Sequence, residues 1–296
     1  MKQKFPCALF RVSALVLTSL VMCGCMATAT GERTPLVAPT AISDMYSSVN
    51  LQMMLATTSN TSDECAASEC VQRSEFDQRV ASNGARLAEG AYAAFPGLAE
   101  RVSKFNFLVV DKAEPGTAST ASGNIVVLRP LSSIALKDEA LSFVIAREMG
   151  HVVAQHHEEN TATSMIMSVI ATVIAPILNV AKFLAIGYSG ATTSVASSAV
   201  VSASMTAASF VGSRVIIESY RPKQREEADG IAIRLLQPLG YDAQVVSAAF
   251  EQVDLRTPPT SWMRELQDSV ARLSAPPALA QARPLEIARQ AASHVN

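Results

Sequence analysis

The chain carries no surplus of positive charge: 24 Lys and Arg against 26 Asp and Glu leave a formal net charge of -2 and a pI near 6.1. That balance gives no basic footprint for nucleic acid, so no nucleic-acid partner is expected. No internal repeat is visible, which sets aside a repeat array. Cysteine is scarce, at five residues; the pair in DECAASEC, Cys65 and Cys70, matches no zinc-knuckle spacing. What is abundant is apolar: 49% of 296 residues, enough to bury a core in one large domain or two small ones.

The N-terminus reads as an export signal. Lys2, Lys4 and Arg11 precede an apolar run from Val12 to Met22, too short to span a membrane comfortably. The segment LVMCGC ends in Cys25 after Gly24 and resembles a bacterial lipobox, with residues 1–24 removed and the Cys25 thiol lipidated. Met22 is an unusual residue at its place in such a box, and ordinary cleavage near Ala27 to Ala29 is the other reading. Either cut places the mature chain outside the cytoplasm. The lipobox reading puts it in the bacterial cell envelope, lipid-anchored to the outer membrane and facing the periplasm. Cys7 and Cys23 leave with the signal, so Cys65 and Cys70 remain as an even pair in an oxidising compartment. They read as a disulfide worth about 2 kcal/mol on a chain-entropy basis, with two unpaired thiols as the alternative.

From Met26 to about Asn60 the chain is rich in Thr, Ser and Ala without sustained period, and residues 25–70 read as a tether with one short helix around Met45 to Leu55. From Val71 to Ala94, Phe76, Val80, Leu87 and Ala91 recur on one helical face before Phe95-Pro96-Gly97 ends the helix. KFNFLVVDK suits a buried strand, GTASTASGN a polar loop, and Ile125 to Leu128 a second strand. Two strands leading into a helix at Asp138 define an α+β, mainly helical fold. In that helix Asp138 is placed to accept from first-turn amides, and Leu141, Val144, Ile145 and Val152 bury one stripe. An apolar stretch, Met165 to Gly187, sits within an insertion spanning 161–217. It is long enough to cross a bilayer, but Pro176, Asn179 and Lys182 interrupt it, leaving a buried or membrane-surface hairpin and a true span both open. The last clear helix opens at Arg221-Pro222 and runs toward Gly240.

The helix from Asp138 contains FVIAREMGHVVAQHH. With His in place of Arg147 it would read HExxH, the helical signature of a zinc hydrolase; as written it reads RExxH. Arg147 and His151 project from a common face one turn apart.

Together with SYRPKQREEADGIAIRLLQPLGYDAQ some seventy residues later, this stretch resembles the zinc metalloprotease family that contains HtpX and the CAAX prenyl endopeptidase, especially its secreted bacterial lipoprotein branch. The resemblance runs from Lys104 to Arg289. It implies a gluzincin-like domain over 71–296, with a small sheet and active-site helices. In that family two histidines and a glutamate hold zinc, and the glutamate of HExxH activates a metal-bound water. Carried onto this chain, Glu148 takes the general-base position and His151 a retained ligand position. Arg147 and Arg225 fall at the other two ligand positions, and Asp229 takes the role of orienting a ligand.

Arginine stays protonated and has no lone pair to donate, so on this register the zinc site is broken and no cofactor is expected. Rescue through Glu226 would require rewinding the helix, because one residue turns it by about 100°. Zinc would be the cofactor only if such a rescue occurred. The Asn-Ala-aromatic segment that active relatives carry before the second strand is replaced by GTASTASGN, and a C-terminal His-Pro by Ala275-Pro276. The two arginines are expected to stand in for the ion through a network with Glu148 and Asp229, including an Arg225 to Asp229 pair, with both arginines turned to solvent over a relaxed cleft as the other reading. His156 and His157 read as a solvated helix end. Ile125 to Leu128 reads either as an edge that takes an extended substrate or as plain core. Three functional readings stand open: a non-catalytic envelope lipoprotein binding a peptide or envelope protein in its cleft, an active zinc metalloendopeptidase degrading misfolded envelope proteins, and a purely structural lipoprotein. Membrane contact would come from the lipid anchor and from residues 165–187.

Overall fold

The computed structural model describes residues 24–25, 33–60, 65–134, 137–166, 221–251, 253 and 260–274. The expectations for the leader, the Cys25 thiol, residues 167–217 of the apolar insertion and Ala275-Pro276 lie outside them. Among the described residues no helix is long and apolar enough to cross a membrane.

The described chain runs as β1 (Gly24–Cys25), β2 (Leu36–Val37), α1 (Thr40–Thr57), α2 (Ala67–Ala94), α3 (Leu98–Arg101), β3 (Asn106–Val110), β4 (Thr117–Ser119) and β5 (Asn124–Leu128). A 3-10 turn (Arg129–Ile134) leads into α4 (Asp138–Val153). Helices α5 (156–166) and α6 (221–236) follow, then α7 (Ala243–Phe250) and α8 (Ser261–Ser274). This is an α+β, mainly helical domain.

Helix α2 buries the expected stripe of Phe76, Val80, Leu87 and Ala91, each large side chain contributing about 1.5–3 kcal/mol. Helix α4 is buried almost all round, from Ala140 to Gly150 and again at Val152 and Val153, as befits a helix packed between a sheet and other helices. Its N-cap is Lys137, which makes no side-chain cap. Asp138 therefore does not cap the helix as expected; it lies in the first turn, paired with Arg79 at 2.8 Å, where its charge still suits the helix dipole.

The sheet order is β3-β5-β4, with β3 parallel to β5 and β4 antiparallel to it. Ile125 to Leu128 is thus the central strand and fully buried core, which rules out its reading as a substrate edge. The edge beside α4 is β4, drawn from the segment read as a loop. Three residues, Thr117, Ala118 and Ser119, hold too little apolar alternation to announce a strand.

The tether reading is corrected for the described residues. Helix α1 spans 18 residues, well beyond Met45 to Leu55, and packs onto the domain through its small polar residues. Ser47 Oγ accepts from Ala121 N at 3.0 Å and Asp44 Oδ1 from Ser122 N at 3.2 Å, pinning the turn between β4 and β5. At its C-terminal end the buried Lys112 ammonium donates to Leu55 O and to Thr58 O at 3.2 Å. Cys65 and Cys70 are joined in a disulfide, their Cα atoms 5.5 Å apart.

Helices α4 and α6 cross at Gly150 and Ala228. A β-carbon on Gly150 would lie 2.6 Å from Ala228 O, so glycine is needed for the two backbones to meet. That crossing sets Arg147 of α4 beside Asp229 of α6. Helix α6 passes into a 3-10 turn (Gln237–Leu239), and Gly240 ends it in the left-handed conformation at φ 80°, the stop its sequence predicted.

Candidate functional site

Arg147 is buried, 4% exposed at its side chain, and its Nε lies 3.1 Å from Asp229 Oδ1. The angle falls outside hydrogen-bond geometry, since neither atom has a hydrogen-bond partner; the contact is an ion pair and no more. The second oxygen of Asp229 accepts from Arg272 Nη2 of α8, and Arg272 also donates to Ser269 Oγ at 2.9 Å. Arg225, expected to pair with Asp229, instead reaches Glu265 Oε1 of α8 at 3.4 Å, and its Nε is buried without a hydrogen-bond partner. Helices α6 and α8 thus face each other across two rungs of opposite polarity, Arg225 with Glu265 and Asp229 with Arg272. Glu265 and Arg272 lie seven residues apart on one face of α8.

Glu148 makes no pair with either arginine. Its Oε1 accepts from Thr117 Oγ1 at 2.7 Å and its Oε2 from Ser119 Oγ at 2.9 Å, both hydroxyls lying on edge strand β4. Trp262 Nε1 of α8 donates to Thr117 Oγ1 at 2.9 Å, and His157 Nε2 lies 3.0 Å from Ser119 Oγ. The carboxylate is held in place by neutral donors rather than by guanidinium.

The expected solvated helix end is in fact interior. Gln155, at φ 60°, turns the chain out of α4 and directs α5 back against it, burying His156 and Glu158. Glu158 Oε1 accepts from Arg101 Nη1 at 2.8 Å; burial raises its pKa, against the lowering influence of Arg101. His151 Nδ1 lies 2.8 Å from His156 Nδ1, and His156 Nε2 lies 3.3 Å from Glu227 Oε2. Burial, then His156, then the Arg147 cation push the His151 pKa well below its ordinary value. Burial also lowers His156, though Glu227 opposes it, and burial with His156 brings His157 down to about 4. With His156 Nε2–H donating to the Glu227 carboxylate, its Nδ1 accepts from His151 Nδ1–H. That tautomer assignment, which follows from the hydrogen-bond chain, leaves the Nε2 lone pair of His151 bare.

Sequence reasoning missed the partners that close this chain. Arg33, in the segment read as tether, donates to Glu227 Oε2 at 2.7 Å and to both oxygens of Glu159 at 3.0 and 3.1 Å. Burial lowers the Arg33 pKa, but its bonds to Glu159 and Glu227 outweigh that and raise it. The only signal lay in charge complementarity across more than a hundred residues.

The donor chemistry decides whether zinc fits. His151 retains a lone pair, but the groups nearest the expected ligand positions are two guanidiniums, which have none. His156 and Glu227 are joined to His151 in a line of direct hydrogen bonds rather than arrayed around a common point. Among the described residues no group of three or more His, Cys, Asp or Glu is placed to hold a metal. The residues present do not fit the ion.

A buried RExxH helix crossed by a second helix carrying EEAD, beside a small sheet whose edge strand holds the motif glutamate, defines a metallopeptidase-like protein. The model of peptidase family M48 matches residues 74–292, and the chain belongs to that family. No curated protein matches the sequence.

Proposed function

We propose that this chain is a non-catalytic member of its family, a protease-like lipoprotein of the bacterial envelope whose cleft binds peptides or envelope proteins, in quality control of that compartment. The observation that supports the reading is the Arg147–Asp229 ion pair at 3.1 Å: by the resemblance Arg147 falls at a metal-ligand position, and its side chain is a fixed cation. A guanidinium supplies positive charge without Lewis acidity or a bound water, so Glu148 has no metal-activated nucleophile to deprotonate. Its two oxygens are engaged by Thr117 and Ser119, which suits a structural role. Among the described residues edge strand β4 pairs only with β5, leaving main-chain groups beside Glu148 for an extended chain to add to.

The test is direct. The purified protein is analysed for bound zinc and offered an unfolded protein with and without chelator. The proposal expects substoichiometric zinc and no chelator-sensitive cleavage; stoichiometric zinc with such cleavage establishes the active endopeptidase instead. A protein that neither cleaves nor retains unfolded chains is the purely structural lipoprotein.

A further inference from the structure

Four guanidiniums, of Arg147, Arg221, Arg225 and Arg272, share two carboxylates, Asp229 and Glu265. Among these six groups cations outnumber anions by two. Arg147 is the most buried of the four. That side chain is 4% exposed, yet it makes no hydrogen bond to any described residue, and its buried Nε is unpartnered in that sense. Arg225 likewise has a buried Nε without a hydrogen-bond partner. Each such unmet donor carries a desolvation cost, and a buried cation is far more tolerable when an anion meets it.

From this geometry we infer that the altered site binds a carboxylate, the free C-terminal α-carboxylate of an extended polypeptide laid along β4. The inference rests on the peptide-binding reading above and names what that cleft recognises. A guanidinium presents parallel N–H donors that match the two oxygens of a carboxylate, whereas a mid-chain carbonyl offers only one. Arg147 neighbours Glu148 in sequence, and Glu148 is bonded to Thr117 and Ser119 of β4. Trp262 of α8 is bonded to Thr117 of the same strand and lies one turn from Glu265, the partner of Arg225, so β4 is joined to the arginine cluster through α8 as well as through α4. Glu148 disfavours an acidic side chain close to β4, while a chain terminus that overshoots it meets the arginines. A site that held a cation through anionic and neutral ligands has become one that holds an anion through cations.

The probe is a pool of mixed-sequence, N-acetylated, fluorescently labelled decapeptides, made once with free C-terminal acids and once with C-terminal amides. Both pools carry the same internal Asp and Glu, so their difference isolates the terminal carboxylate. Binding to the full-length protein in detergent is followed by anisotropy. The acid pool is expected to bind at least about tenfold more tightly than the amide pool. Arg147→Gln, with its melting curve checked, should abolish that preference, and Arg147→Lys should reduce it by removing the fork while keeping the charge. Equal binding of the two pools overturns the inference and leaves peptide binding standing. Failure of both pools to bind overturns the inference together with the reading beneath it.

Discussion

Gly150 lies so close to Ala228 that a β-carbon on it would sit 2.6 Å from the Ala228 carbonyl oxygen and 3.0 Å from its Cα. Both obstacles are backbone, so neither can swing aside. Gly150→Ala must push α4 and α6 apart, at a cost of about 1–3 kcal/mol, and a thermal melt should show it as a clear drop. Gly230, two residues along α6, is exposed with nothing within 4 Å of its would-be β-carbon. Gly230→Ala should raise stability by about 0.5–1 kcal/mol through helix propensity alone. Equal melting temperatures for the two variants would contradict the close crossing.

Removing Asp229 alone from the Arg147–Asp229 pair should cost more than removing both members. Asp229→Ala strips Arg147 of its counter-ion and frees Arg272 as well, and should destabilise the protein by about 3–5 kcal/mol. Arg147→Met keeps the volume without the charge and should cost less, since Asp229 retains Arg272. The double change Arg147→Met with Asp229→Leu should recover part of the loss. Denaturant unfolding of the four proteins gives the coupling energy, and strict additivity would show that the two side chains do not interact.

The legible parts of this fold were those whose local pattern and tertiary role agree. Phe76, Val80, Leu87 and Ala91 sit at helical spacing and are buried; Ile125 to Leu128 is apolar and lies at the sheet centre. Helix α1 was hidden because its buried residues are Ser43 and Ser47 while Met45, Val49 and Met53 face outward, the reverse of the usual signal. Strand β4 was hidden because it is polar on purpose: its hydroxyls serve Glu148. Among the site residues, the motif drew attention to Arg147, His151, Arg225 and Asp229. Arg272 lies 43 residues from Asp229 and Arg33 194 from Glu227, distances at which nothing in a single sequence says which charges meet. The i, i+4 rule favoured Arg225 with Asp229, but packing of α8 gave each a partner from another helix.

Acid should weaken the fold through the histidines of α5. Folded His157 takes a proton only near pH 4, against 6.5 for its ordinary value, so between those limits the unfolded chain binds more protons than the folded one. Stability is therefore fully present above pH 6.5 and falls as pH drops toward about 4, with a slope approaching about 1.4 kcal/mol per pH unit for one net proton. The groups that face this ring are Ser119, His156 and Asp44, and Asp44 partly opposes the shift. Unfolding free energies measured from pH 7 to 4 should flatten in His157→Gln; an unchanged slope would assign the acid sensitivity elsewhere.

Whether Arg147 and Arg225 occupy former ligand positions can be tested by reversing them. Arg147→His with Arg225→Glu would supply the two missing donors beside the bare Nε2 of His151. The structure adds a condition to that design: Arg225 Nη1 lies 3.4 Å from Glu265 Oε1, so the new carboxylate would face an existing one, and like charges at that range oppose folding. Glu265→Gln should therefore accompany the pair. The triple variant is expected to take up one zinc, removable by chelator, and to melt higher with the metal than without it, because an ion bound only to the folded state stabilises it by mass action. Each single variant should bind none, having at most two of the three ligands a tetrahedral site with one open position requires. Calorimetric titration with zinc reads the outcome. A triple variant that keeps its circular dichroism and cooperative melt but takes up no zinc shows that the ligand assignment to Arg147 and Arg225 is wrong, and with it the idea that two guanidiniums stand where a metal's ligands once did.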